Sequence, residues 1–200
     1  MKRSMKMKKT IVIALVLILL ATCAKKETAN NVNSETDGTV NAGTFAQSAE
    51  ELVKSGIAHY EKQDYDKAIA DYTEAIKLKP DFAGLYENRG YTYFIKKDYD
   101  NAIADYTEAI RLKPRSDETY NNRGYAYYEK KDYDKAIADY TAALSIEPDD
   151  DQILHNRGIA YYDKHDYNRA IADWENVLRI NPKHPTARLD IEEAQQARGN

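Results

Sequence analysis

A 34-residue period runs through most of the chain and restricts its fold more than any single motif. The stretch 86–114, YENRGYTYFIKKDYDNAIADYTEAIRLKP, returns almost letter for letter as YNNRGYAYYEKKDYDKAIADYTAALSIEP over 120–148. Gly56, Gly90, Gly124 and Gly158 keep step with Pro80, Pro114, Pro148 and Pro182. Four units follow, at 49–82, 83–116, 117–150 and 151–184. A fixed period of this size means stacked copies of one supersecondary element, since a single copy cannot bury its apolar face alone.

Each unit reads as two helices. In the second, Tyr86, Gly90 and Tyr93 share one helical stripe. A second stripe carries Tyr99, Ala102, Ile103, Tyr106, Ala109 and Ile110. Asp98 between them suits an N-cap, and Pro114 ends the second helix. At about 13 residues, each helix is roughly 20 Å long. A glycine inside a helix costs about 1 kcal/mol relative to alanine. The fold tolerates it where another helix approaches closely. Ala68, Ala102, Ala136 and Ala170 fit the opposing surface, with Tyr72, Tyr106, Tyr140 and Trp174 beside them.

The set Tyr86, Gly90, Tyr93, Ala102, Tyr106, Ala109 and Pro114, repeated in phase over 49–184, resembles the tetratricopeptide repeat (TPR) family. The resemblance implies an all-α TPR solenoid of four helix-turn-helix repeats. Leu52 and Leu154 depart from the usual aromatic, His59 from a tyrosine, and Val177 from an alanine. Arg89, Arg123 and Arg157 stand where leucine is usual. Residues 185–200 follow as a C-terminal capping helix, with Ala187, Leu189, Ile191, Ala194 and Ala197 amid Asp190, Glu192, Glu193 and Gln195.

Residues 1–22 differ in kind. Lys2, Arg3, Lys6, Lys8 and Lys9 precede the apolar run IVIALVLILLA at 11–21, the layout of a secretory signal peptide. A membrane-spanning helix needs about 20 apolar residues. The ending Leu20-Ala21-Thr22-Cys23 resembles a bacterial lipoprotein signal, with Thr22 where a smaller residue is usual. It implies lipidation at Cys23, the chain's one cysteine. Residues 23–48 then form a lipidated N-terminus and a flexible tether, too polar to order itself. As a coil the tether spans roughly 28 Å. Ala24-Lys25 lacks an inner-membrane retention aspartate, which favours the outer membrane where two membranes exist.

The net charge is −4, and −9 once 1–22 is removed. Such a balance argues against nucleic acid, whose phosphates require a basic face. His59, His155, His165 and His184 lack metal-ligand spacing, and Asp64, Asp98, Asp132 and Asp166 lack the glycine and distant glutamate of a calcium loop. No phosphate loop or nucleophile elbow occurs. No catalytic residue, metal or cofactor is expected.

Each arginine has an aspartate available across a repeat junction. The expected structural ion pairs are Asp71–Arg89, Asp105–Arg123 and Asp139–Arg157, with the arginine fork matching a carboxylate. The resemblance further implies a concave groove on the first helices. Its partner-binding candidates are Tyr60, Tyr91, Phe94, Tyr125, Tyr128 and Tyr162, with Asn88, Asn122 and Asn156 just before the arginines. Its acidic members are Glu50, Glu61, Glu87, Glu118, Glu129 and Asp163. Tyr60, Phe94, Tyr128 and Tyr162 and the three asparagines serve equally well as framework, whereas Tyr91 and Tyr125 are the better binding candidates. Aromatic rings suit a peptide or helix laid in a groove, and the carboxylates favour a basic partner. The cationic clamp that some members use for chaperone tails is missing, its slots holding Val53, Gly84, Glu87, Glu118 and Asn121. The expected function is a membrane-anchored interaction scaffold of the bacterial envelope for protein or peptide partners. A pilotin-like assembly factor for a secretion or pilus system, a small-molecule-binding lipoprotein and a self-assembling array remain alternatives.

Overall fold

The computed structural model describes residues 42–199, with side chains from Ser48 onward. The expected signal peptide at 1–22, the expected lipidation site Cys23 and the expected tether up to residue 41 lie outside the described residues. Among those described are nine helices and no strand: α1 (Ala42–Glu61), α2 (Tyr65–Leu78), α3 (Ala83–Ile95), α4 (Tyr99–Leu112), α5 (Asp117–Glu129), α6 (Tyr133–Ile146), α7 (Asp151–Asp163), α8 (Tyr167–Ile180) and α9 (Ala187–Gly199). Helix α1 begins at Ala42, so residues 42–48, expected to belong to the tether, are helical. That stretch has no proline, and extending a nucleated helix gains one hydrogen bond per residue fixed.

Each repeat folds as a helix hairpin, α1–α2, α3–α4, α5–α6 and α7–α8. The chain divides after Leu112 into two bodies. In the N-terminal body α2 also packs on α3; in the C-terminal body α6 packs on α7, and α8 on α9. The turn inside a hairpin is set by local chemistry. Lys97, at φ 64°, closes α3: its N–H donates to the Phe94 carbonyl at 2.8 Å and the Asp98 N–H to that of Tyr93 at 2.9 Å. This pattern satisfies carbonyls that a helix end otherwise leaves unpaired. The next helix is then capped. Asp98, Asp132 and Asp166 accept the N–H of Asn101, Lys135 and Arg169 at 3.4, 3.4 and 3.2 Å. Asp64 makes no such bond and holds Lys67 Nζ at 2.7 Å instead.

The glycines sit at tight crossings, as their period predicts. A Cβ on Gly90 would lie 3.1 Å from Asp105 Cβ and 3.3 Å from the Ala102 carbonyl oxygen. On Gly56, Gly124 and Gly158 it would meet Tyr72 Cε1 at 2.7 Å, Tyr140 Cε1 at 2.9 Å and Trp174 Nε1 at 2.4 Å. Ala68, Ala102, Ala136 and Ala170 are fully buried opposite them. The separations grade the cost of adding a methyl group. Overpacking costs about 1–3 kcal/mol, against about 1 kcal/mol gained in helix propensity. Gly158→Ala is therefore expected to lower stability by about 1–2 kcal/mol and Gly90→Ala by clearly less, read from urea midpoints. Equal losses would mean that the crossing distances do not set the energetics.

Candidate functional site

The arginines are paired, but within their own repeats. Arg89 binds Asp105 through Nε and Nη2, both at 2.8 Å. Arg123 binds Asp139 at 2.8 and 2.7 Å, and Arg157 binds Asp173 twice at 2.8 Å. The expected junction pairs Asp71–Arg89, Asp105–Arg123 and Asp139–Arg157 are thus corrected. The cause is the glycine crossing, which draws the two helices of one hairpin together next to the arginine and puts Asp105 Cβ against Gly90. The junction is linked through threonine: Arg89 Nη1 donates to Thr73 Oγ1 on α2 at 3.0 Å, and Arg157 Nη1 to Thr141 Oγ1 on α6 at 3.1 Å. Asp71, whose repeat has Ser55 in the arginine slot, takes His59 Nδ1 at 2.7 Å. His59, which stands in place of a tyrosine, therefore supplies Asp71 with the hydrogen-bond partner that the arginine gives in the other repeats.

These pairs are well enclosed, with side-chain exposures of 18% for Arg89 and 8% for Asp105. Burial pushes the Asp105 and Asp139 carboxyls above their usual range, against the opposing pull of the guanidinium hydrogen bonds. They are scaffold, and they fix which side of each first helix remains available.

On the N-terminal body, that side presents Tyr60, Tyr91 and Phe94, all half-buried, with Glu87 half-buried and Glu61 exposed. Tyr60 lies 5.7 Å from Tyr91 and 5.6 Å from Tyr65, and Phe94 lies 5.4 Å from Tyr99. Burial raises the Tyr60 hydroxyl pKa above its ordinary value, helped by the neighbouring Tyr91. Val53 and Ile57 on α1 are buried in the core with Tyr72 and Leu85. Glu50 is paired with Lys54 at 2.9 Å.

On the C-terminal body, Tyr125, Tyr128 and Tyr162 are also half-buried. Tyr125 and Tyr128 stand 6.4 Å apart, and Tyr128 and Tyr162 pack on Tyr133 and Tyr167 at 5.6 and 5.3 Å. The Tyr128 hydroxyl donates to Asp163 at 2.5 Å and the Tyr162 hydroxyl to Glu193 at 3.2 Å. Burial and then Asp163 raise the Tyr128 pKa. Asp163 is thus engaged inside the protein, Glu118 is half-buried and Glu129 exposed. The acidic set is less available to a basic partner than its residue types suggested.

The asparagines are enclosed rather than displayed: Asn88, Asn122 and Asn156 are 6%, 4% and 1% exposed. Asn156 Nδ2 donates to Asn121 Oδ1 on the preceding first helix at 3.0 Å, a framework role. The same relation recurs one repeat on. His155 Nε2 meets Asp190 Oδ2 of α9 at 2.9 Å, both buried, with Thr186 Oγ1 at 3.0 Å. The His184 ring packs against that of His155, tilted by 43° with centroids 4.5 Å apart, and accepts the Ala187 N–H at 3.3 Å. Sequence reasoning missed this anchor of α9. Its signal was present: Asp190 follows Asn156 by one period. Among the described residues, no group of three His, Cys, Asp or Glu gathers as metal ligands would, and no helix is long and apolar enough to cross a membrane.

An all-α protein of glycine-crossed helix hairpins, closed by a final helix, is the class these observations define. Profiles described as "TPR repeat" match residues 56–95 and 90–131, and one described as "Tetratricopeptide repeat" matches 118–150 and 152–184. The chain belongs to the tetratricopeptide repeat family, a family of protein-interaction scaffolds. Comparison with curated protein sequences gives no significant match. Solved structures are similar. The MamA protein aligns with a TM-score of 0.73 at 22% identity, covering 76% of this chain and 84% of that one. A tetratricopeptide repeat protein from Parabacteroides merdae aligns with a TM-score of 0.73 at 27% identity, covering 77% and 61%. The first TPR of Spaghetti (RPAP3), bound to the HSP90 peptide SRMEEVD, aligns with a TM-score of 0.57 at 26% identity, covering 59% and 94%.

Proposed function

We propose that this protein is a lipid-anchored interaction scaffold of the bacterial cell envelope that holds peptide segments of partner proteins on its first-helix face. The observation that carries the reading is the half-buried aromatic shelf, Tyr60, Tyr91 and Phe94 on one body and Tyr125, Tyr128 and Tyr162 on the other. Half-buried rings offer a partner large apolar area at small conformational cost, with a hydroxyl at the edge. The RPAP3 repeat domain that aligns with this chain carries a bound peptide. The anchor rests on the basic, apolar and cysteine layout of 1–23, and the polar stretch behind it would give the repeats reach from the membrane.

Crosslinking from envelopes tests this reading. Partners recovered with the wild type are expected to fall about tenfold with Tyr91→Ala/Tyr125→Ala, a loss of about 1.4 kcal/mol in binding. An unchanged partner list would remove the groove. Cys23→Ser is expected to release the protein from the membrane without changing its fold, read by fractionation and circular dichroism. Retention of that variant would sink the lipid anchor.

A further inference from the structure

The residues that cap α5, α7 and α9 fall in one slot of the 34-residue period, at Ser116, Asp150 and His184. Ser116 accepts the Thr119 N–H at 3.3 Å, and Asp150 accepts those of Gln152 and Ile153 at 3.0 and 3.1 Å. His184 does the same for α9 with a ring nitrogen: Nδ1 accepts the Ala187 N–H at 3.3 Å. Histidine, unlike serine or aspartate, ordinarily changes charge between about pH 5 and 8. A proton on Nδ1 occupies the lone pair that the Ala187 N–H needs. It also places a cation at a helix N-terminus, where the macrodipole opposes it.

The surroundings add to this effect. The His155 ring lies against His184, with centroids 4.5 Å apart. His155 Nε2 meets Asp190 Oδ2 at 2.9 Å and Thr186 Oγ1 at 3.0 Å. An Nε2–H donates to Asp190 whether the ring is neutral or charged, so that bond survives acid and the His184 cap does not. With both rings charged, two cations stand 4.5 Å apart beside the carboxylate of Asp190. Charged groups on the neighbouring elements have partners of their own. Asp151 of α7 accepts from Asn181 at 2.8 Å, Asp149 from Arg179 of α8 at 3.0 Å, and Arg188 of α9 donates to the Pro182 carbonyl at 3.5 Å. Lys183, next to His184, is exposed and adds positive charge. Helix α9 itself has little apolar hold. Ala187 and Ala194 are fully buried, whereas Leu189 is 62% exposed. Loss of one cap is therefore a large share of what keeps it docked.

We infer that α9 is a latch released by protonation of His184, opening ahead of the hairpins beneath it as the medium acidifies. The released helix binds a proton that the docked helix excludes. Docking is therefore favoured at higher pH and lost as pH falls through the ordinary histidine range. Release frees the Tyr162 hydroxyl from Glu193 and uncovers the apolar surface that Ala187 and Ala194 now cover.

Amide exchange of the full chain at about pH 7.5 and about pH 5.5, expressed as protection relative to the intrinsic rate at each pH, tests this. With an ordinary histidine value of about 6.5, one excluded proton gives at most about a tenfold effect over that interval. The reference is His184→Asn, whose amide oxygen supplies a cap that does not titrate. Relative to that variant, wild-type protection of α9 is expected to fall by about fivefold to tenfold on acidification. Helix α9 should also exchange ahead of α8 at both pH values. His184→Asp restores the residue type that caps α7, and it should match the asparagine variant. It carries the same test if His184→Asn does not fold. An equal response to acid in the wild type and the variants would overturn the inference and trace the pH dependence to groups other than His184. Equal protection of α8 and α9 at the lower pH would overturn it as well, because the helix would then not open on its own.

Discussion

Arg123→Ala is expected to cost the fold about 3–5 kcal/mol, among the largest losses available outside the apolar core. Arg123 grips both oxygens of Asp139 at 2.8 and 2.7 Å. Its guanidinium also lies over the Tyr120 ring, 5.7 Å from the centroid. Asp139 is 6% exposed, and burial already drives its carboxyl towards the protonated form. Removing the arginine strands that carboxylate away from water. Replacing both partners, as Arg123→Met/Asp139→Leu, is expected to recover most of the loss, because neither desolvated charge then remains. The half-exposed pair in the first repeat, His59–Asp71, should behave differently, with Asp71→Asn costing about 1 kcal/mol or less. Urea unfolding of the four proteins decides the matter. A loss below about 1 kcal/mol for Arg123→Ala would show that solvent reaches the pair.

Trp174→Ala is expected to cost about 3–5 kcal/mol, as for other large buried aromatics. Trp174 is fully buried, lies across Gly158 at the tightest of the four crossings and donates from Nε1 to the His155 carbonyl at 3.3 Å. Its ring is 6.3 Å from His155 and 6.1 Å from Tyr162. His155 in turn holds Asp190 on α9. The damage should therefore spread to the final helix, and amide exchange across α9 should speed up more than the global loss explains. Trp174→Phe keeps most of the volume and should cost clearly less. Unchanged protection of α9 would mean that it docks independently of this crossing.

How far the sequence disclosed the protein follows from what a period can and cannot encode. The 34-residue step identifies equivalent slots, so the helix pairs, the glycine crossings and the closing helix were all readable from it. It does not say which of two neighbours a side chain reaches. Inside each body, α3 and α7 touch the second helix of their own repeat and that of the repeat before it, and both neighbours recur with the same period. The period alone therefore allows Arg89 to pair with Asp71, yet its carboxylate is Asp105 and its hydrogen bond across the junction goes to Thr73. The extent of the available face is hidden for a related reason. Val53, Ile57, Asn121, His155 and Ile159 lie in first-helix slots that pack against neighbours, and they are buried. The rings just beyond them remain half-exposed. The asparagines were ambiguous because one amide can bind a ligand or a neighbouring helix, and only distances separate the two, as with Asn156 and Asn121.

The claim that the first-helix face is where this protein meets its partners is tested most directly by position-specific photocrosslinking in living cells. A benzophenone side chain would be placed at the exposed positions Glu61 and Glu129, at the ends of first helices, and at Glu74 and Lys77, exposed on second helix α2. None of the four is buried, so each variant should keep its fold. The account predicts discrete higher-mass adducts from Glu61 and Glu129, and none from Glu74 and Lys77. Adducts confined to Glu74 and Lys77 would contradict it.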